Sequence, residues 1–266
     1  MPMLMRRLLA CVFAALVCMG TAAAQSPRHV FIVGDSTASE YGPERAPRQG
    51  WGMQLQPYLD PAAWQVRNHA QSGRSSRSFI AEGWLAPLEK AMQAGDVLLI
   101  QFGHNDEKRE DPSRYNAPDV AFPQWLMRYV ALARDKGATP ILITPLARRK
   151  FERGSRIDQL LDTHGLYAQA VRDLAEREHV GLIDLTEISM GWLRALGDDA
   201  SKPFFMHVPA QQLADDTHLQ ERGAVVVACF VVREWARLDP ALAASVVRQT
   251  NCSAPVASQM PPKVAH

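Results

Sequence analysis

The chain has 266 residues, with 29 Lys and Arg against 28 Asp and Glu, and 47% of its residues are hydrophobic. So much apolar content with so little net charge excludes an intrinsically disordered chain. A formal charge of +1 gives no general case for nucleic acid as a partner. No internal repeat or low-complexity tract is present, which sets solenoids and propellers aside.

From the N-terminus, Arg6 and Arg7 precede an apolar run from Leu8 to Gly20, followed by Thr21-Ala22-Ala23-Ala24. A short positive region, an apolar stretch too short to span a bilayer and an Ala-x-Ala ending predict a secretory signal peptide over residues 1–24. Cleavage is expected after Ala24, giving a secreted or periplasmic protein that does not stay in the membrane. Its removal takes two arginines and no acids, leaving 27 basic against 28 acidic residues. Cys11 and Cys18 leave with it. Only Cys229 and Cys252 remain, and in an oxidising compartment these can form one disulfide, tying the last helix to the tail.

Five short apolar runs then read as strands: His29–Val33, Trp64–Asn68, Asp96–Phe102, Pro140–Pro145 and Gly181–Leu185. Val97-Leu98-Leu99-Ile100 and Ile141-Leu142-Ile143 are apolar without alternation, as strands buried on both faces are. Between the runs lie helical stretches over Arg77–Gln93, Phe122–Lys136, Gln159–Glu178 and Glu221–Leu238. In the second of these, Phe122, Trp125, Leu126, Tyr129, Val130 and Ala133 recur at helical spacing, and Gly137 ends the pattern. Alternating strands and helices predict an α/β fold, a doubly wound parallel sheet in a three-layer α/β/α arrangement. No linker interrupts it, so residues 25–252 are expected to form one domain. The Pro-containing stretch 253–266 is expected to be a flexible tail.

In such a sheet, ligands gather outside the carboxyl ends of the strands. Gly34-Asp35-Ser36-Thr37-Ala38 follows the first strand, and Asn68-His69-Ala70-Gln71-Ser72-Gly73-Arg74-Ser75 the second. Gly103-His104-Asn105-Asp106 follows the third, and Asp215-Asp216-Thr217-His218 precedes the last helix. Each motif alone fits a turn or a cap. Together they supply a hydroxyl, an imidazole, a carboxylate and backbone or amide donors at one edge, which is what nucleophilic acyl transfer requires.

In these blocks the chain resembles the GDSL/SGNH hydrolase superfamily, and within it the rhamnogalacturonan (pectin) acetylesterase-like branch. The likeness runs from Val33 to the last helix. The run Thr144-Pro145-Leu146-Ala147-Arg148-Arg149-Lys150-Phe151 is similar to that branch in particular. The resemblance implies a flavodoxin-like five-stranded sheet. It implies Ser36 as nucleophile, His218 as base and Asp215 as its orienting acid, with Asp216 as competitor for that last role. It also implies an oxyanion hole made by the Ser36 and Gly73 backbone N–H groups and the Asn105 amide. Ser72 departs from the family pattern, where a second glycine is often found. No metal or organic cofactor is implied.

Around the site, Asp35 is expected to fix the turn beside the nucleophile, and His104 either to contact substrate or to pack beside Asn105; both are counted, with Arg74 and Arg148, among the residues facing substrate. Arg77, Arg149 and Lys150 share their edge of the sheet. Guanidinium groups pair well with carboxylates, so some of these cations are expected to receive galacturonate groups of a pectin backbone. The expected protein is thus a monomeric serine esterase acting on acetylated polysaccharide or oligosaccharide. The alternatives are a broader esterase for acylated xylan, sialic acid or lipid esters, and a non-catalytic carbohydrate-binding module. The chain has no Gly-x-Ser-x-Gly, which disfavours an α/β-hydrolase. It also lacks the Gly-x-Gly-x-x-Gly and P-loop patterns of nucleotide binders.

Overall fold

Val30 and Ile32 point to one side of the first strand and Phe31 and Val33 to the other, and all four are buried. A strand that buries both faces needs a layer on each side, and that requirement organises the molecule. The computed structural model describes residues 26–152, 159–248, 250 and 252. The expected signal peptide and the tail from residue 253 lie outside the described residues.

In chain order the strands are β1 (Arg28–Gly34), β2 (Arg48–Gln49), β3 (Trp64–Asn68), β4 (Val97–Gln101), β5 (Thr139–Ile143), β6 (Phe151–Glu152), β7 (Gln159–Leu160), β8 (Gly181–Ile183), β9 (Phe205–Val208) and β10 (Leu213–Gln220). The helices are α1 (Ser76–Ala81), α2 (Ala86–Ala91), α3 (Ala121–Asp135), α4 (Gly165–Glu178), α5 (Leu185–Ser201), α6 (Glu221–Leu238) and α7 (Pro240–Ala243). β3, β1, β4, β5 and β8 lie in that order in one five-stranded sheet, and its neighbouring strands are all parallel. These are the five strands expected from the sequence.

One face packs Val30, Ile32, Leu99 and Ile143 against α5 and α6, where Trp235 meets Trp64 edge to face. The other packs Phe31, Val33, Ile100 and Leu142 against α3 and α4. The chain leaves β1 for β3 on one side and then crosses to β4 on the other. The order therefore reverses at β1, and a crevice opens at the carboxyl ends of β1, β3 and β4.

The structure differs from the sequence reading in four places. The expected helix over 77–93 is broken into α1 and α2, because Gly83 turns left-handed (φ +84°) and Pro87 begins a new helix rather than continuing one. The helix expected from Gln159 starts at Gly165, because Gln159-Leu160 pair antiparallel with Phe151-Glu152 as β6 and β7. α5 and a second sheet, β2-β10-β9, were not expected at all. Asp184 caps α5 through the Glu187 N–H, and Gly197 kinks it.

Cys229 in α6 and Cys252 are joined in a disulfide, with a sequence separation of 23. A crosslink closing a loop of that size restricts the unfolded chain and stabilises by about 3 kcal/mol. Replacing both cysteines with serine is therefore expected to lower the unfolding free energy by about that amount. Denaturant titration with and without reductant is the measurement. Reductant should destabilise the native protein and leave the double variant unchanged.

Candidate active site

Gly34 ends β1 so close to β4 that a Cβ there would lie 2.6 Å from the Gln101 carbonyl oxygen. Glycine lets the chain turn at this point, and Asp35 shapes the turn. One Asp35 oxygen accepts the Thr37 N–H and hydroxyl, both at 2.9 Å, and the other lies 3.1 Å from His104 Nδ1. Thr37 Oγ1 accepts from Gln101 Nε2 at 2.9 Å, and Gln101 Oε1 accepts the Trp51 indole N–H. Burial works against the Asp35 charge, but His104 and Thr37 outweigh it and hold the carboxyl down at about 2. The loop carrying Ser36 thus rests on a fully paired buried anion.

His218 Nε2 lies 2.9 Å from Ser36 Oγ, and its Nδ1 lies 2.7 Å from Asp215 Oδ2. With Nδ1–H donated to Asp215, Nε2 is free to accept the Ser36 hydroxyl proton. The other Asp215 oxygen accepts the backbone N–H groups of Thr217 at 2.8 Å and His218 at 3.1 Å. Burial opposes the Asp215 charge as well, yet His218 and these donors hold its pKa well below the usual carboxylate range. Asp216, the competing acid, accepts from Arg149 Nε at 2.8 Å and lies 2.7 Å from His207 Nε2, so it anchors the neighbouring loop instead.

Asp215 and His218 both lie in β10. Residues three apart in a regular strand face opposite ways. Here the register against β9 slips between Asp215 and Leu219, and that irregularity brings both side chains together.

The other two loops are stitched to the first. The Gln71 N–H donates to the Gly34 carbonyl at 2.9 Å, and Asn68 Nδ2 to the Ala38 carbonyl at 2.8 Å. Gly73 is left-handed at φ +82°, with open space where a Cβ would stand, so conformation and not crowding requires it. Asn105 Nδ2 donates to the Arg74 carbonyl at 3.0 Å, which orients the amide while leaving its second N–H available. Asp106 accepts the N–H and hydroxyl of Ser76 at the start of α1 and the Asn116 amide, and burial pushes its carboxyl up to about 7.

The residues expected to face substrate are disposed differently. Asp35 is fully buried and committed to Thr37 and His104, which leaves it no surface to offer. His104 is 3% exposed and packs edge-on against His164 at 4.4 Å between ring centroids. Arg148 lies 2.5 Å from Glu107, which also bonds His164 at 2.9 Å. Arg74 folds back onto Glu82 and the Ser72 carbonyl, both at 2.8 Å. Arg149 is buried against Asp198 and Asp216, and Arg77 donates to the Pro112 carbonyl. A partner in the fold answers each of these charges. Residues the sequence reading assigned no role, Tyr41, Arg48, Gln101, Glu107 and His164, shape the site instead. Gln101 carried a signal, a lone amide closing an otherwise apolar strand. Tyr41 and Arg48 carried none.

A parallel α/β sheet with this serine–histidine–aspartate chain at its carboxyl edge defines a serine hydrolase. The chain belongs to the GDSL-like lipase/acylhydrolase family, which matches residues 32–226. It is 38% identical over 214 residues to "Rhamnogalacturonan acetylesterase RhgT" of Bacillus subtilis, covering 78% of this chain and 89% of that one. To "Probable rhamnogalacturonan acetylesterase YesY" of the same organism it is 36% identical, over 83% of this chain and 98% of the relative. Among solved structures it resembles the YXIM protein of B. subtilis (TM-score 0.68, 28% identity), covering 82% of this chain but only 58% of that longer one.

The histidine pair gives the site a signature in acid. Burial, helped by His104, lowers the His164 pKa from 6.5 to about 4, so this group costs stability as pH falls across that interval. The raised Asp106 does the reverse, costing stability as pH rises from 3.8 to about 7. A difference measurement separates the two. His164→Gln should be less stable than the native protein at neutral pH. That gap should narrow by up to about 3 kcal/mol between pH 6.5 and 4. Denaturant unfolding of both proteins across the interval measures it, and a constant gap would contradict the assignment.

Proposed function

We propose that the protein is a secreted serine esterase that removes O-acetyl groups from pectic polysaccharide of the rhamnogalacturonan or galacturonan type, acting as a monomer. The observation that carries this reading is the unbroken hydrogen-bond chain from Ser36 through His218 to Asp215 at the crevice. The substrate class is supported by the two similar relatives named as rhamnogalacturonan acetylesterases. Export is supported by the Arg6-Arg7 and Ala-x-Ala pattern of residues 1–24 and by the Cys229–Cys252 disulfide.

In this reading Ser36 Oγ attacks the acetyl carbonyl carbon while His218 Nε2 takes its proton. The tetrahedral oxyanion receives hydrogen bonds from the Ser36 and Gly73 N–H groups and from the second N–H of Asn105. Collapse breaks the bond to the sugar oxygen, and His218 returns the proton to that leaving alcohol. Water, deprotonated by the same imidazole, then attacks acetyl-Ser36, and as the bond to Ser36 Oγ breaks His218 returns the proton to that oxygen, releasing acetic acid, which ionises to acetate, and the free serine. Asp215 keeps the imidazole in the required tautomer and stabilises its charged form.

The test is acetate release from acetylated pectin, acetylated xylan and nitrophenyl acetate. Release from pectin that Ser36→Ala abolishes is the expected result. Release only from the small ester would discard the pectic substrate, and Ser36-independent release would discard the nucleophile. Asn105→Ala should lower kcat by about 10²–10³. Asp215→Asn should lower it by about 10⁴, because the amide favours the wrong tautomer.

A further inference from the structure

If pectic chains are the substrate, their carboxylates need a cation that the fold has not already neutralised. Arg74, Arg148 and Arg149 are paired with Glu82, Glu107 and the Asp198/Asp216 couple. Arg48 is different. It extends from β2, where it pairs with Gln220 of β10, and its side chain reaches back along that strand to Asp215. Its side chain is only 19% exposed, and its one ion pair among the described residues is a long contact, Nη2 to Asp215 Oδ2 at 3.4 Å. Asp215 does not need it, since His218 and the Thr217 and His218 N–H groups already occupy both oxygens. The guanidinium lies 5.7 Å from the centroid of the Tyr41 ring, whose hydroxyl donates to the Ser36 carbonyl at 2.7 Å. A five-donor group that meets only the Asp215 carboxylate and the Tyr41 side chain among the described residues, and so keeps N–H groups to offer, therefore sits between the loop of the nucleophile and the strand of the base. Its remaining N–H groups can pair with an incoming anion.

We propose that Arg48 receives the carboxylate of a uronate residue and sets the preference of this esterase for acidic chains. The inference rests on the pectic reading of the site. The adjoining pocket, about 300 Å³ between the loops after β1 and β3, carries Glu40 and Glu44 beside Arg45 and offers no net positive wall. Acid selectivity thus falls to Arg48, whose planar fork matches a carboxylate in two parallel hydrogen bonds.

The probe is unacetylated oligogalacturonate, used as an inhibitor of nitrophenyl acetate hydrolysis, with a neutral xylo-oligosaccharide of equal length as comparison. The native enzyme should be inhibited competitively by the acidic oligomer, less so as salt rises, and more strongly than by the neutral one. Arg48→Gln should raise the inhibition constant at least tenfold, with any fall in kcat smaller than that, and Arg48→Lys should recover part of the loss. A fall in kcat with unchanged inhibition would make Arg48 only a support for Asp215 and overturn the proposal. So would absence of inhibition in the native enzyme. Native acetate release from pectin, measured in parallel, separates the two readings. Its absence with Arg48-dependent inhibition intact removes the pectic activity but keeps the carboxylate site. Its presence with Arg48-independent inhibition removes only the Arg48 assignment.

Discussion

The Asp35 carboxylate is the constraint on which the site depends. A charge with no exposed surface is tolerable only when donors surround it. Those donors come from two places at once, its own turn through Thr37 and the loop after β4 through His104, while Gln101 at the end of β4 holds Thr37 in position. Trp51 is drawn in by its hydrogen bond to Gln101. Pairing one buried anion thus fixes the backbone on either side of Ser36, so the hydroxyl is held in place before any ligand arrives. Preorganisation of this kind makes a reacting group effective, because little reorganisation is left for the moment of reaction.

The base reaches the serine from a different direction. β10 belongs to the small antiparallel sheet, and the irregularity in its pairing with β9 puts an aspartate and a histidine three residues apart onto one side. In the other loops a sheet end and a glycine place the functional group. Here a break in strand register does the same work. The two halves are then tied by the Ser36–His218 contact and by the Arg149 N–H donating to the Asp216 carbonyl at 2.8 Å. Asp216 is therefore not spare. It holds the strand that presents its neighbour.

The sequence made the main sheet legible because β1, β4 and β5 bury both faces and so read as unbroken apolar runs. The four blocks at the crevice were legible for a related reason, since each follows a strand or precedes a helix whose pattern was clear. What escaped was structure without a strong pattern. β2 and β9 are two and four residues long and take their form from pairing with β10, which no local periodicity announces. α5 did carry a signal: Leu185, Ser189, Trp192, Leu193 and Leu196 follow helical spacing. Its buried serine and the glycine at 197 blurred the apolar face. Within the site, residue types were readable and their partners were not. The position of Asp215 three residues before His218 suggested a pair, whereas the Glu107–His164 contact joins positions 57 apart in the chain.

The arginines show most clearly where a linear reading stops. Arg74, Arg148 and Arg149 follow the sheet edge as a substrate-binding set would, and in sequence nothing distinguishes them from one. Availability depends on which acid shares the edge. Glu82 stands eight residues beyond Arg74 at the far end of α1, Glu107 closes the loop facing Arg148, and Asp198 meets Arg149 from the far end of α5. Each pairing lowers the cost of placing a cation near the crevice and also spends its charge. A site built for acidic polymers must leave some guanidinium underpaired, and such a group is tolerated only where it keeps partial access to water. At the junction of β2 and β10 the fold meets both conditions, beside the residues that align the imidazole. In the proposed reading the choice of substrate charge sits beside the acid that orients the base without that acid depending on it, whereas a change at Arg74 or Arg148 acts first on the scaffold.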